Sequence, residues 1–257
     1  MEINNRVKMD VLIQYDCRWT TSLDERFVED YLYVQKEVFG VGLREEFRRQ
    51  FEENIYGPSV VVVVYLEGSP VASRALWRND IEGQEAYQPG ATCVMPICRG
   101  KGIFTEMTQK SIAMLPPSAI IYNFPNDNSY PGYIKMGWTL LHDYKLRIMW
   151  SVKSYTIEHP IKVDSMYFDW WLKGKKLSYC RYRNHYFLIK KDTRKYCYRV
   201  IAETDRIIAE QCPRIRFGLL FYKSENSTWY NRRLKSSHVV VRGSEVSYIP
   251  TWKIDAV

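Results

Sequence analysis

The stretch from Cys93 to Trp138 constrains the fold more than any other part of this sequence. It begins with an apolar strand pattern that Pro96 ends, because proline cannot donate to a sheet ladder. The glycine-rich turn Arg99–Gly102 follows, and apolar residues then recur with helical periodicity from Ile103 to Leu115. The pattern predicts a strand that passes through a glycine turn into an amphipathic helix.

This junction has the properties of an anion-binding site. The first N–H groups of a helix lack intrahelical partners, and the helix dipole makes that end positive. Gly100 and Gly102 have no Cβ, so an anion can approach the backbone closely, and Arg99 adds a planar guanidinium suited to phosphate oxygens. Neither a Walker A loop nor a complete G-x-G-x-x-G fingerprint is present, since Thr105 stands at the last position. We predict a pyrophosphate cradle, with an ordinary glycine turn before a core helix as the alternative.

A second motif follows a short apolar strand over 119–122. Its spacing is N-x-x-S-x-x-x-Y-x-x-x-G-W, and its members are Asn126, Ser129, Tyr133, Gly137 and Trp138. Together with the turn Arg99–Gly102, this series resembles the GCN5-related N-acetyltransferase (GNAT) superfamily of acyl-CoA-dependent acyltransferases. The resemblance is specific over residues 90–140 and extends over 11–150. Phe104 departs from the family pattern, which has a small residue at that position.

The resemblance implies a mixed α/β sheet fold, the GNAT fold, for a catalytic domain over residues 1–152. The patterns agree with it, in the order strand, two helices, three strands, helix, strand, helix, strand. Val60–Tyr65 predicts a strand buried on both faces, and Glu67–Ser69 predicts a hairpin turn.

Residues 153–257 are assigned to a C-terminal α/β domain with an acceptor-binding or structural role. A degenerate second copy of the GNAT fold is the alternative. Patterns in this part predict strand structure over 177–191, helices over 204–212 and 226–235, and a final strand over 238–243. No glycine-rich turn follows a strand here, so we expect no second coenzyme site.

The resemblance also implies which residues act on the coenzyme. Tyr133 would be the acid that protonates the departing thiolate, and Tyr130 is a competing phenol one turn earlier. Asn126 and Ser129 are each expected either to contact the coenzyme or to cap the helix that carries Tyr133. The strand around Val94 would hold the pantetheine arm. The expected coenzyme-binding residues are Val94, Arg99, Gly100, Lys101, Gly102, Ile103, Phe104, Thr105, Asn126 and Ser129.

The sequence offers several candidates for the base that would deprotonate the amine. Glu82 and Glu85 precede the fourth strand, where some family members carry a carboxylate, and His142 and Asp143 lie on the last strand of the predicted catalytic domain. For each of the four, the pattern favours a solvated surface residue. The amine can instead lose its proton to water, so a dedicated base is not required.

The net charge of the chain indicates what kind of partner it binds. The formal net charge of +8 and the pI of about 9.1 favour anionic partners, among them coenzyme A. The segment Lys173–Lys195 holds nine lysines and arginines interleaved with aromatic residues. This pattern favours a solvated strand face over a site for an anionic acceptor, and both over a nucleic-acid surface.

The resemblance implies an N-acetyltransferase that uses acetyl-CoA and needs no metal. We expect it to be cytoplasmic and a monomer or a homodimer. The expected acceptor is a primary amine of a small molecule, with an amino sugar and a sugar nucleotide as candidates, and the net charge favours an anionic acceptor. No apolar run reaches the ~18 residues of a membrane span, and the six cysteines form no C-x-x-C pair. A non-catalytic acyl-CoA-binding module and an aminoacyl-tRNA-dependent transferase are the alternatives.

Overall fold

Contacts within the chain divide it into two units, Met1–Ala119 and Ile120–Val257. The structure is a computed structural model that describes residues 12–150, 165–172, 177–182, 185–193, 195–204, 219–224, 236–243, 246–247 and 249. Each unit is built on its own set of strands. The mixed α/β class predicted from the sequence is confirmed.

The first unit contains an antiparallel sheet whose four strands lie in chain order. They are β1 (Ile13–Trp19), β2 (Val60–Leu66), β3 (Ser69–Arg78) and β4 (Ala86–Val94). The five valines over 60–64 are all 0% exposed, which confirms the predicted doubly covered strand. Glu67 and Gly68 form the predicted hairpin turn, both with positive φ, 51° and 80°.

Helices cover both faces of this sheet. They are α1 (Glu25–Phe39), α2 (Arg44–Phe47, continued by a π-helical turn over Arg48–Glu52) and α3 (Ile103–Ile112). Gln35 of α1 bonds Ser73 of β3, whereas the next residue of β3, Arg74, bonds Thr108 of α3. Successive strand residues point to opposite faces, so α1 and α3 lie on opposite sides of the sheet.

Strand β4 contains a bulge. Ser73 of β3 pairs with Cys93 and Ala75 pairs with Gly90, so Ala91 and Thr92 together stand opposite one residue of β3. Ala91 has a φ of +47°, in the left-handed region that non-glycine residues rarely adopt. A bulge of this kind disrupts the ladder locally and is common beside active sites.

The second unit has the strand order β5-β11-β6-β10-β9-β8-β7. Its strands are β5 (Ile120–Asn123), β6 (Thr139–Trp150), β7 (Leu177–Tyr182), β8 (His185–Lys191), β9 (Cys197–Thr204), β10 (Leu219–Ser224) and β11 (Ser236–Arg242). Its helices are α4 (Tyr130–Lys135) and α5 (Ser165–Tyr167, continued by a π-helical turn over Phe168–Leu172). Residues 177–191, which the pattern predicts as one stretch, form the two antiparallel strands β7 and β8, because a run of that length exceeds an ordinary strand.

Strand β11 lies between β5 and β6 and is antiparallel to both. It comes from the end of the chain, within the part assigned to a C-terminal domain, yet β5 and β6 belong to residues 1–152. Residues from both sides of the predicted boundary therefore share one sheet. The assignment of 1–152 and 153–257 to separate domains stays a prediction.

The predicted helices over 204–212 and 226–235 lie outside the described residues, apart from Thr204, which ends β9. Within the described part of the chain, no helix is long and apolar enough to span a membrane.

Candidate active site

The glycine turn lies at the N-terminus of α3, as the sequence predicts. Gly100 and Gly102 have φ values of +77° and +78°, which glycine adopts without strain. Gly102 is the N-cap residue, and no side chain caps the helix there. A Cβ at either glycine would meet no atom within 4 Å, so the space above the turn is open. The geometry suits an anion bound at the helix N-terminus, although the coenzyme contacts of these residues stay predictions.

Cationic side chains surround this turn. Arg99 and Lys101 are exposed, and the Arg99 Nε–H donates to the Val94 carbonyl at 3.1 Å, which ties the turn to the end of β4. Ile103 is buried beneath the turn, whereas Thr105 is exposed on the first helical turn. Two cations at a helix N-terminus increase its attraction for phosphate groups.

Phe104, where the resemblance predicts a small residue, packs against a buried cation. The Arg74 guanidinium lies over the Phe104 ring, with Cζ 5.3 Å from the ring centroid, and donates to Thr108 Oγ1. Arg74 is 0% exposed, so a buried cation lies beneath the first two turns of α3. Arg74 interrupts the apolar pattern of β3, and this interruption could have identified it from the sequence as a candidate functional residue.

Gln35 holds the β4 bulge from the α1 side. Its Nε2 donates to the Ala91 carbonyl at 2.6 Å and to Ser73 Oγ at 2.8 Å, and it lies 3.3 Å from Cys93 Sγ. Burial raises the pKa of the Cys93 thiol, so the cluster is uncharged. No local sequence pattern indicates this cluster, because Gln35 and Ala91 are 56 residues apart.

Replacing Gln35 with Leu is expected to lower the free energy of unfolding by about 1–3 kcal/mol, because the Ala91 carbonyl and Ser73 hydroxyl lose a buried donor. The matched control is Gln50→Leu on the same side of the sheet. The Gln50 side chain makes no hydrogen bond with the described residues. That change is expected to cost less than about 0.5 kcal/mol. Urea unfolding measures both, and equal losses would contradict a special role for the Gln35 amide.

In the second unit, Tyr133 lies on α4 and is 2% exposed. Its ring packs edge-on against Trp138, with centroids 4.8 Å apart, and its carbonyl accepts the Trp138 N–H. Gly137, with φ +82°, lets the chain turn back over the helix. The Tyr-x-x-x-Gly-Trp spacing thus produces a packed helix end, and the acid role of Tyr133 stays a prediction.

The competing phenol Tyr130 is half-buried. Its ring stacks on His238 of β11 with centroids 4.1 Å apart. His238 Nδ1 lies 3.3 Å from Asp143 Oδ1, and His238 Nε2 lies 3.7 Å from Asp127 Oδ1. This cluster could not be foreseen, since His238 reaches it only through the position of β11.

Asn126 organises the turn before α4. Its Oδ1 accepts the N–H groups of Asn128 and Ser129 at 3.1 and 3.0 Å. Ser129 occupies the N-cap position but makes no capping bond, and its hydroxyl donates to Asn126 Oδ1 instead. The predicted N-cap position of Ser129 is therefore confirmed, although its side chain makes no capping bond, and its coenzyme contact stays a prediction.

Three of the four candidate bases make structural contacts. Glu85 accepts the Tyr87 hydroxyl at 2.7 Å, His142 Nε2 lies 3.0 Å from the Ser247 carbonyl, and Asp143 faces His238. Glu82 is exposed in a turn with φ +50°. No group of three or more metal-ligating residues occurs in the described ranges.

Solved structures of other proteins share this fold. No family model matches the sequence, and no curated protein matches it. Among solved structures, a GCN5-related N-acetyltransferase from Kribbella flavida aligns with a TM-score of 0.53 at 12% identity, covering 89% of this chain and 71% of its own. One from Anabaena variabilis aligns at 0.51 and 13% identity, covering 88% and 72%. A conserved protein of unknown function from Enterococcus faecalis aligns at 0.56 and 11% identity, covering 95% and 74%. The chain therefore has the fold of the GCN5-related N-acetyltransferases.

Proposed function

We propose that this protein is an acyl-CoA-dependent N-acyltransferase that moves an acetyl group from acetyl-CoA to a primary amine. The observation that carries the proposal is the open glycine turn at the N-terminus of α3, on the acetyltransferase fold and directly after β4. The exposed Arg99 and Lys101 and the buried Arg74 supply positive charge to that region. A diphosphate is the part of coenzyme A that such a turn accommodates.

The chemistry requires one bond to form and one to break. The amine nitrogen attacks the thioester carbonyl, the C–N bond forms, and the C–S bond breaks to release the thiolate of coenzyme A. The amine proton passes to solvent, and the Tyr133 hydroxyl is the proposed donor to the thiolate. The bulge at Ala91–Thr92 supports the transferase proposal, because a bulge leaves one residue out of the regular ladder. Backbone N–H groups outside a ladder are the kind of donor that a developing oxyanion needs.

Replacing Gly102 with Ala is expected to weaken acetyl-CoA binding about tenfold, because a Cβ would stand where the diphosphate approaches the backbone. Gly68→Ala is the matched control. Gly68 has φ +80° and equally open surroundings, but it lies in the β2–β3 hairpin. Both changes should cost about 1 kcal/mol of folding stability, through the same backbone strain. Isothermal titration calorimetry then separates the two variants.

If acetyl-CoA produces no heat with the unsubstituted protein, the proposed function is wrong. If Gly102→Ala and Gly68→Ala bind it equally well, the glycine turn is not the diphosphate site.

A non-catalytic acyl-CoA-binding module is the second candidate function. The burial of Tyr133 against Trp138 favours it, because a packed aromatic residue of this kind can serve the core alone. Tight acetyl-CoA binding without coenzyme A release, across a panel of primary amines, would identify such a module.

A further inference from the structure

A cleft of about 150 Å³ opens in the first unit between α1, α2 and β4. Apolar side chains form most of its wall, and apart from the phenol of Tyr31, polar side chains occur at three positions. The apolar group is Leu32, Val41, Leu43, Phe47 and Phe51, and the polar group is Gln35, Glu46 and Gln50. Ala91, at the β4 bulge, also lines the cleft.

The charge of this cleft is opposite to that of the whole chain. Glu46 is the one charged residue among those that line it. Its carboxylate is exposed and has no ion-pair partner among the described residues, whereas the nearby Arg44 pairs with Glu25 and Glu52. An unpaired carboxylate at an apolar cleft attracts a cation and repels an anion.

The size of the cleft restricts what can enter. A cavity of ~150 Å³ lined by Leu, Ile and Phe holds a molecule the size of benzene. Sites for drug-sized ligands start at roughly 300 Å³. The cleft therefore accommodates one ring or one branched alkyl group, and a sugar nucleotide does not fit within it.

The loop between α1 and α2 presents apolar side chains at the mouth of the cleft. Val41 and Leu43 are 56% and 62% exposed. Between them, Gly42 lies so close to α1 that a Cβ would come within 2.8 Å of the Leu32 carbonyl oxygen. The backbone of the loop thus packs directly on α1, and the side chains of Val41 and Leu43 stay exposed at the mouth of the cleft.

The inner wall holds one buried polar group with unused hydrogen-bonding capacity. Tyr31 is 2% exposed, and its hydroxyl has no hydrogen-bond partner among the described residues. Burial raises the pKa of this phenol well above its ordinary value, so it stays protonated. The hydroxyl can therefore donate or accept a hydrogen bond with a ligand that enters the cleft.

We propose that the cleft binds the acceptor, and that the acceptor is a cationic primary amine whose apolar body is no larger than about one aromatic ring. The inference rests on the proposed acyl transfer and narrows it, since it names a small cationic amine in place of the anionic acceptor that the net charge favours. The ammonium pairs with Glu46, and the apolar body contacts Val41, Leu43 and the phenylalanines. The amine then loses its proton to solvent before it attacks.

The position of the cleft agrees with this role. Ala91 lies on β4 three residues before Val94, where the coenzyme arm is expected. The glycine turn begins α3, which covers the opposite face of the sheet from α1. The acceptor cleft and the proposed diphosphate site therefore do not compete for space, and the proposal requires the amine nitrogen and the thioester to meet at β4, beside the bulge.

The test compares 2-phenylethylamine with glucosamine 6-phosphate as acceptors, using Glu46→Gln and the control Glu45→Gln. Glu45 is the preceding exposed residue of α2 and does not line the cleft. The aromatic amine should be the better substrate, and Glu46→Gln should raise its KM about tenfold while kcat and the acetyl-CoA Kd stay within twofold. Glu45→Gln should leave all three within twofold. A preference for the anionic amine, or equal effects of the two variants, would overturn the inference.

A second measurement separates this inference from the proposed function. Binding of 2-phenylethylamine to the coenzyme-free protein is followed by ligand-observed NMR for the same variants. If acetyl-CoA does not bind but the amine binds and is lost in Glu46→Gln, the cleft assignment stands and the transferase proposal fails. If acetyl-CoA binds and only the anionic amine is acetylated, the transferase proposal stands and this inference is wrong. Absence of Glu46-dependent amine binding also overturns it.

Discussion

A chain that ends at residue 235 is expected to lose the fold of the second unit and all transferase activity. The deletion removes β11, which pairs with β5 on one side and β6 on the other. Val239, Val240 and Val241 of this strand are 0%, 0% and 6% exposed. Their burial contributes on the order of 5 kcal/mol, which is comparable to the whole stability of many domains. Circular dichroism and urea unfolding measure the loss.

Point variants test the same idea without shortening the chain. Val240→Asp places a carboxylate in the centre of β11 and should prevent cooperative unfolding of the second unit. The control is Ile134→Asp on α4, because Ile134 is already 40% exposed and belongs to the same unit. A fragment of residues 1–152 that unfolds cooperatively and binds acetyl-CoA would contradict this expectation and support the domain boundary inferred from the sequence.

The Tyr133→Phe variant is expected to lower kcat by about a hundredfold or more, the ordinary contribution of a positioned proton donor. Acetyl-CoA binding should stay within twofold, because the ring and its packing on Trp138 are kept. Steady-state release of coenzyme A gives kcat, and titration calorimetry gives the Kd.

Tyr130→Phe is the matched control for that experiment. Tyr130 lies one turn earlier on α4 and keeps its stacking on His238 when only the hydroxyl is removed. We expect its kcat to change less than threefold. The reverse outcome, a large loss in Tyr130→Phe and a small one in Tyr133→Phe, would transfer the acid role to the partly exposed phenol and leave Tyr133 as a core residue.

Short-range features of this protein were predictable from its sequence. The run Val60–Val64 identifies a doubly covered strand, because only such a strand tolerates uninterrupted apolar residues. The glycine turn at 99–102 and the helix after it follow from backbone freedom at Gly100 and Gly102 and from the apolar period of α3. Each of these signals lies within about ten residues of the structure that it predicts.

The candidate site was predictable only in part. Its glycine turn carries a local motif, whereas the bulge at Ala91 and the amide of Gln35 carry none. Ser129 occupies the predicted N-cap position without a side-chain capping bond. The side chain of Asn126, three residues earlier, instead accepts the Ser129 N–H. The net charge of +8 describes the whole chain, so it could not predict that the one charged residue lining the cleft is a carboxylate, Glu46.

The sequence by itself determined the fold class, the strand–turn–helix junction and the order of elements in the first unit, because periodicity and glycine placement act over short distances. Only the tertiary structure decided that β11 lies between β5 and β6, that Gln35 reaches Ala91, and that Glu46 faces an apolar cleft. The sequence pattern of a valine-rich strand is compatible with several neighbouring strands. Which one it takes depends on packing between residues far apart in the chain, and local patterns do not record that packing.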